Sequence, residues 1–340
     1  MRRWIKVSVA AAAVLGVGGW IAEPYVRDWI VVRNACEGAL PQDAARRLAP
    51  EDTHLGSAES RRTEGLGSWT CRVTLDGERG RLVEMEAYTR RDDQDRTYMT
   101  VFPQEGMAPQ APLPGGLPGF VDRFGTIQLV LACPDLGRDP DGGRRTLLVR
   151  TSTGSYDHTG EPGAVYRTAV ALANAASGKL GCGAEPLKTP EGDPALPRPQ
   201  DGGDDPEPVP LSRAAEGPCG WAARAGLKGR DWHVVSRLGD AAPTGFCALT
   251  DAPDEGSGPG EAPLSVFAWY GDWSNRLVVG SNGERRSFTA TARCDGESAN
   301  FALSASTGTR EAGTAEKRRV LETFAKDQVR RRGCEEPRFF

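Results

Sequence analysis

Cys71-Arg72-Val73-Thr74-Leu75-Asp76, with its later echo Cys247-Ala248-Leu249-Thr250-Asp251, is the stretch whose reading decides the fold. Trp69, Cys71, Val73 and Leu75 alternate with more polar neighbours, the period of a half-buried strand with Cys71 on its inner face. The surroundings of the two cysteines correspond in order. Ile127, Leu129 and Leu131 alternate before Cys133, as Phe288, Ala290 and Ala292 do before Cys294. Leu147 and Val149 match Phe301 and Leu303, in runs that close on Ser-Thr-Gly at 152–154 and 306–308. Each copy ends in a helical segment and Gly-Cys, at Gly181-Cys182 and Gly333-Cys334, with Glu-Pro soon after. Matches kept in register over so long a stretch read as a tandem duplication.

The predicted fold class is α+β: an N-terminal transmembrane helix, then two tandem, duplicated helix–antiparallel sheet–helix domains with helices on one face of each sheet. Residues 1–35 are assigned to a cytoplasmic tip, anchor and juxtamembrane segment, 36–185 to the first repeat, 186–215 to a linker and 216–340 to the second repeat. In the first repeat a helix is expected over 36–48, with Leu40, Ala44 and Leu48 on one face. Strands are expected at 69–75, 83–87, 127–133 and 145–151. A helix over 164–180 carries Val165, Ala169, Leu172 and Ala176. The loop 102–125, with its Leu-Pro-Gly-Gly-Leu-Pro-Gly segment, has no counterpart in the second copy and is expected to be irregular. There a short helix starts near Cys219, and strands follow at 246–249, 264–269, 276–279, 287–294 and 301–305. The helix over 314–332 turns Leu321, Phe324, Ala325 and Gln328 inward.

A chain of 340 residues is long enough for about two domains. With 39% hydrophobic residues and a mean hydropathy of −0.45, it is not a multi-span membrane protein. Its net charge of −4 lacks the basic footprint of a nucleic-acid binder. That charge is concentrated between 186 and 210, where six acids face two bases among eight prolines, and this stretch is expected to be a solvated, extended linker. Arg2, Arg3 and Lys6 flank residues 7–22, which are free of charge. With Trp4 included and Lys6 snorkelling, residues 4–22 reach across a lipid bilayer core of about 30 Å. The basic flank keeps the short end in the cytoplasm, so the expectation is a single-pass signal anchor in the cell membrane with both repeats extracytoplasmic. A cleaved signal peptide, leaving the repeats secreted, is the alternative. Trp20-Ile21-Ala22-Glu23-Pro24 offers no good small-x-small cleavage site, and no lipobox precedes Cys36.

Cys36, Cys71, Cys133, Cys182, Cys219, Cys247, Cys294 and Cys334 are even in number, and export places them under oxidising conditions, so structural disulfides are expected. Pairing first with second and third with fourth in each copy gives Cys36–Cys71, Cys133–Cys182, Cys219–Cys247 and Cys294–Cys334. The reason is local: the third cysteine ends a central strand and the fourth ends the helix beside it. Nested pairing is the alternative. There is no Cys-x-x-Cys, and His54, His158 and His233 lie far apart, which speaks against zinc.

The cysteine pattern, the Leu-Pro-Gly-Gly-Leu-Pro-Gly segment, the Ala-Asn-Ala-Ala-Ser helix that runs to Gly-Cys, and the N-terminal apolar run together resemble a group of uncharacterised actinobacterial, Streptomyces-type membrane-anchored or secreted proteins. The resemblance implies an extracytoplasmic location and carries over no catalytic residue.

Motifs for chemistry are missing. No serine stands in Gly-x-Ser-x-Gly, and Asp157-His158 beside Ser155 reads as a loop. Gly178-Lys179 lacks the rest of a phosphate loop. Asp139-x-Asp141-Gly142 lacks the later calcium ligand. Asp201, Asp204 and Asp205 read as solvated linker charge. No cofactor is expected and nothing marks an enzyme. The one aromatic concentration is Phe267, Trp269, Tyr270 and Trp273. Core filling under the last helix is its plain reading, and stacking of Trp269 and Trp273 on wall sugars is the sharper one. The expected function is a non-catalytic binding or scaffolding module of the cell envelope, duplicated for avidity. Its partners are the lipid bilayer through residues 4–22 and a cell-envelope protein or polymer. An unrecognised envelope hydrolase and a wall-polysaccharide-binding domain are the alternatives.

Overall fold

The computed structural model describes residues 23–77, 80–102, 110–139, 142–154, 161–197, 207–227, 231–239, 242–252, 263–280, 282–305 and 313–340. The expected anchor therefore lies outside the described residues, among which no helix is long and apolar enough to cross a membrane. The Ser-Thr-Gly at 306–308, Asp157-His158 and Asp201 to Asp205 also lie outside them.

The first repeat starts with α1 (23–34), a 3-10 turn at Ala35–Gly38 and α2 (Gln42–Leu48). It continues with β1 (Leu55–Thr63), β2 (Ser68–Leu75), β3 (Arg81–Tyr88), α3 (Arg91–Val101), β4 (Ala111–Pro112) and β5 (Gly119–Val121), then β6 (Ile127–Ala132), β7 (Thr146–Thr153) and α4 (Pro162–Lys179). The second holds β8 (Val209–Pro210), α5 (Leu211–Ala214) and a 3-10 turn at Gly220–Arg224, followed by β9 (His233–Leu238), β10 (Thr244–Thr250) and β11 (Leu264–Tyr270). A 3-10 segment at Asp272–Val278, β12 (Thr289–Cys294), β13 (Glu297–Ala305), α6 (Thr314–Arg332) and β14 (Arg338–Phe339) complete it.

Two antiparallel seven-stranded sheets result, ordered β1-β2-β3-β7-β6-β5-β4 and β8-β9-β10-β11-β13-β12-β14. Their shared part is β1-β2-β3-β7-β6 against β9-β10-β11-β13-β12, the same five-strand order in each copy. The duplication read from the cysteines is thus matched strand by strand. The four disulfides pair as expected, first with second and third with fourth, and none joins the copies. Cys133–Cys182 and Cys294–Cys334 occupy equivalent places, each with a Cα–Cα separation of 4.3 Å.

Each repeat has its own core between sheet and terminal helix. Trp69, Val83, Met85, Leu129, Val149, Tyr166 and Leu172 fill the first, and Trp221, Val266, Phe301, Leu321 and Phe324 the second. The predicted inner stripes of α4 and α6 are buried as read, down to Gln328, whose Oε1 accepts the Tyr270 hydroxyl at 3.0 Å.

Several expectations need correcting. The helix expected over 36–48 is broken: Cys36, Glu37 and Gly38 have positive φ, and Pro41 is extended just before α2. The strand expected at 276–279 is mostly 3-10 segment, held by the Ser274 hydroxyl on the Gly271 carbonyl (2.7 Å) and the Trp273 indole N–H on the Tyr270 carbonyl (2.9 Å). The loop 102–125 contains β4 and β5, and its Leu113 and Leu117 are buried in the first core. Gly119 faces the Gln128 carbonyl so closely that an added Cβ would overlap it. Gly119→Ala is therefore expected to cost about 1–3 kcal/mol by forcing β5 and β6 apart, measured as a shift in urea midpoint.

The linker is corrected in part. Residues 183–197 are not free in solvent but lie along α4. The Asn174 side chain exchanges hydrogen bonds with Leu187 (3.0 and 2.8 Å), the Tyr166 hydroxyl donates to the Ala195 carbonyl (3.1 Å), and Leu187 and Leu196 pack on the core. Apolar residues between the prolines make this adhesion favourable despite the acids. Helices also cover both faces of the first sheet rather than one, because α3 lies on the side opposite α4.

Candidate functional site

The sheet faces turned away from α4 and α6 are packed against each other. Phe102, Phe120, Val130 and Leu148 of the first repeat meet Phe267, Trp269, Leu277, Val278 and Ala302 of the second in a third core. α3 and the 272–278 segment, which occupy the same place between the third and fourth shared strands of their copies, form its centre. Trp273 stacks on Tyr98 with ring centroids 4.3 Å apart and on Phe102 at 5.2 Å. Trp269, 3% exposed, and Trp273, 9% exposed, therefore lie between the repeats. Neither offers an open face for a sugar ring. Nor do Phe267 and Trp269 fill the core under the last helix; Val266 and Ala268, of opposite strand parity, do that. Tyr98 ionises only far above its ordinary value because burial withholds water from the phenolate, so it stays neutral.

A charged cluster rims this core. Arg91, at the start of α3, reaches Asp272 (3.2 Å) and Glu297 (3.4 Å) of the second repeat and Asp139 (3.6 Å) of its own. Arg145 holds Asp139 from the other side at 3.0 Å, and Arg144 reaches Asp295 at 3.3 Å. Across the interface, Arg276 donates to the Tyr98 carbonyl at 2.7 Å and Arg237 to the Gln110 carbonyl at 3.3 Å.

Burial pushes the Glu297 carboxyl above its ordinary value of 4.5, aided by Asp272 and Asp139 and opposed by Arg91. Burial likewise raises Asp95. For Asp272 burial acts in the same direction, but hydrogen bonds from Ser298, its N–H at 2.7 Å, and the charge of Arg91 outweigh it and hold the carboxyl below 3.8. Perturbed carboxylates in a cleft are a common mark of an active site. Here the space decides otherwise. The cavity they line measures about 50 Å³, room for water but far below the few hundred Å³ of a substrate pocket. Arg91 bridges Asp272 and Glu297, so both carboxylates are engaged by a guanidinium. Among the described residues no group of three or more metal-ligating side chains converges.

The cluster has a testable pH signature. A carboxyl whose folded pKa is raised takes up its proton more readily in the native state, so native stability grows as pH falls through that pKa. Glu297→Gln removes this term. Urea unfolding at pH 7 and 4 is expected to show wild type gaining on the variant at the lower pH; an unchanged difference would mean that Glu297 is not held in a desolvated site.

A larger concavity lies elsewhere among the described residues. A groove of about 520 Å³ runs between α1 and α2, lined by Tyr25, Trp29, Val32, Ala45, Arg46 and Leu55 among others. His54 Nδ1 lies 2.8 Å from Asp28 Oδ2, whose other oxygen accepts the Leu55 N–H at 2.7 Å. Arg27 donates to the Gly56 carbonyl at 3.2 Å. These contacts fasten α1 to β1. Sequence reading missed the groove because its walls are brought together by tertiary packing; the signal available was the aromatic pair Tyr25 and Trp29 just after the apolar run. No family model, curated protein or solved structure matches the chain.

Proposed function

We propose that the chain is a single-pass, membrane-anchored extracytoplasmic protein whose repeats form one non-catalytic body that binds or scaffolds a component of the cell envelope. The observation that carries this reading is the inter-repeat core. With its charged rim it takes up Phe267, Trp269 and Trp273 and the carboxylates with shifted pKa values, the features among the described residues best suited to a sugar platform or a hydrolase. Disulfides within each repeat support an oxidising location, as do the apolar run at 7–22 and the resemblance of the sequence motifs to uncharacterised actinobacterial membrane-anchored or secreted proteins. Avidity between independent copies is no longer part of the reading, since the copies use equivalent faces on each other. The duplication instead makes an internal pseudo-dimer.

Two experiments test this. Protease added to intact protoplasts is expected to degrade both repeats; survival there with digestion after lysis would reverse the topology. The body from Glu23 onward, incubated with purified wall polymer and with membrane proteins, is expected to be retained without turnover. Time-dependent release of soluble fragments would overturn the non-catalytic reading in favour of a hydrolase.

A further inference from the structure

Four apolar side chains of α1 are exposed to solvent: Tyr25 is 67% exposed, Val26 54%, Trp29 42% and Ile30 47%. At 3.6 residues per turn they share an arc of about 140°, so they form one stripe rather than scattered exceptions. A stripe of this kind on a water-exposed helix costs solvation unless something covers it. α1 cannot roll to hide it. Asp28 is tied to His54 and the Leu55 N–H, Val32 and Ala35 are buried, and Cys36, the first residue but one after the helix, is bonded to Cys71.

We propose that this stripe, with the groove beside it, docks on the outer leaflet of the bilayer, taking phospholipid headgroups and the first methylenes of their chains. The inference rests on the anchored reading above. The uncharged run 7–22 has sixteen residues. With Trp4 and Lys6 included, residues 4–22 would span about 28 Å as a helix, enough for a core of about 30 Å. The hydrocarbon boundary then falls close to Ala22, and the stripe from Tyr25 to Ile30 follows within two turns, at the headgroup layer, where aromatic side chains are favoured. Val32, Ala45, Ala49 and Leu55 give the groove an apolar floor that opens beside Trp29. Charge does not select the lipid: Arg27, Arg33 and Arg46 are matched by Glu23, Asp28 and Glu51. Docking would hold the double-repeat body upright at a fixed distance from the membrane, since α1 is fastened to β1.

The test uses the full chain in phosphatidylcholine vesicles, with or without bromine near the top of the acyl chains, and the variant Trp29→Phe. Flotation with the vesicles reports anchoring, and unreduced peptide mapping of Cys36–Cys71 reports that the variant is folded. The wild-type minus variant emission isolates Trp29 from the other tryptophans. Loss of that difference emission in brominated vesicles supports docking. Flotation with the difference emission unquenched overturns docking and leaves anchoring in place; so does cross-linking of α1 to α1 of a second chain with Trp29 unquenched. Failure to float overturns the anchored reading and the docking with it.

Discussion

Trp273→Ala is expected to lower stability by about 3–5 kcal/mol, the usual cost of emptying a large aromatic site that neighbours cannot refill. Trp273 stacks on Tyr98 and Phe102 of the other repeat, so the cavity opens between the copies and not within either of them. Each repeat keeps its own core, around Trp69 and Tyr166 in one and around Trp221 and Phe324 in the other. Calorimetry is therefore expected to replace a single cooperative transition by two. A loss under about 1 kcal/mol with one transition retained would be the signature of a surface residue, and would remove Trp273 from the interface.

Replacing Cys294 and Cys334 together by serine is expected to cost about 4 kcal/mol, from the entropy that the unfolded chain regains when a loop of 40 residues is released. The Cys133 and Cys182 pair, with a separation of 49, should cost about the same, because the dependence on loop length is logarithmic. The bridges tie the ends of β6 and β12 to the ends of the terminal helices, so their loss should free α4 or α6 from its sheet first. Hydrogen exchange of α6 in the Cys294/Cys334 variant checks this. Faster exchange confined to α6 and β12 is expected. Uniform acceleration over both repeats would show that the copies do not keep separate cores.

What could be read from the residues depended on how much of each element faces a core. β2 was legible because Trp69, Cys71, Val73 and Leu75 all point one way, and α6 because Leu321, Phe324 and Ala325 recur on one face. β1 was not: Gly56 to Thr63 carry mostly small or charged side chains, since an edge strand with an exposed face needs no apolar alternation. α3 was missed for a different reason. Its buried face is Gln94, Thr97, Tyr98 and Val101, and Gln94 is satisfied by the carbonyls of Tyr88 (2.9 Å) and Thr146 (2.7 Å) rather than by apolar contact. The parity of Phe267 and Trp269 was correctly read, but parity cannot say which of two cores a face belongs to. The charged rim lay beyond sequence reading altogether. Arg91 is 181 residues from Asp272 and 206 from Glu297, and only the packing of one repeat on the other brings them together.

Cleaving the chain between the repeats tests that packing most directly. A protease site introduced at Gly202-Gly203 cuts outside both sheets and all four disulfide loops. After complete cleavage under non-reducing conditions, the two halves are expected to co-elute in size-exclusion chromatography at the position of the uncut body, and to separate when Trp273→Ala is combined with Arg91→Ala. Halves of the otherwise unaltered chain that part on cleavage, each still carrying its own disulfides, would contradict the single double-repeat body and restore two independent modules on a tether.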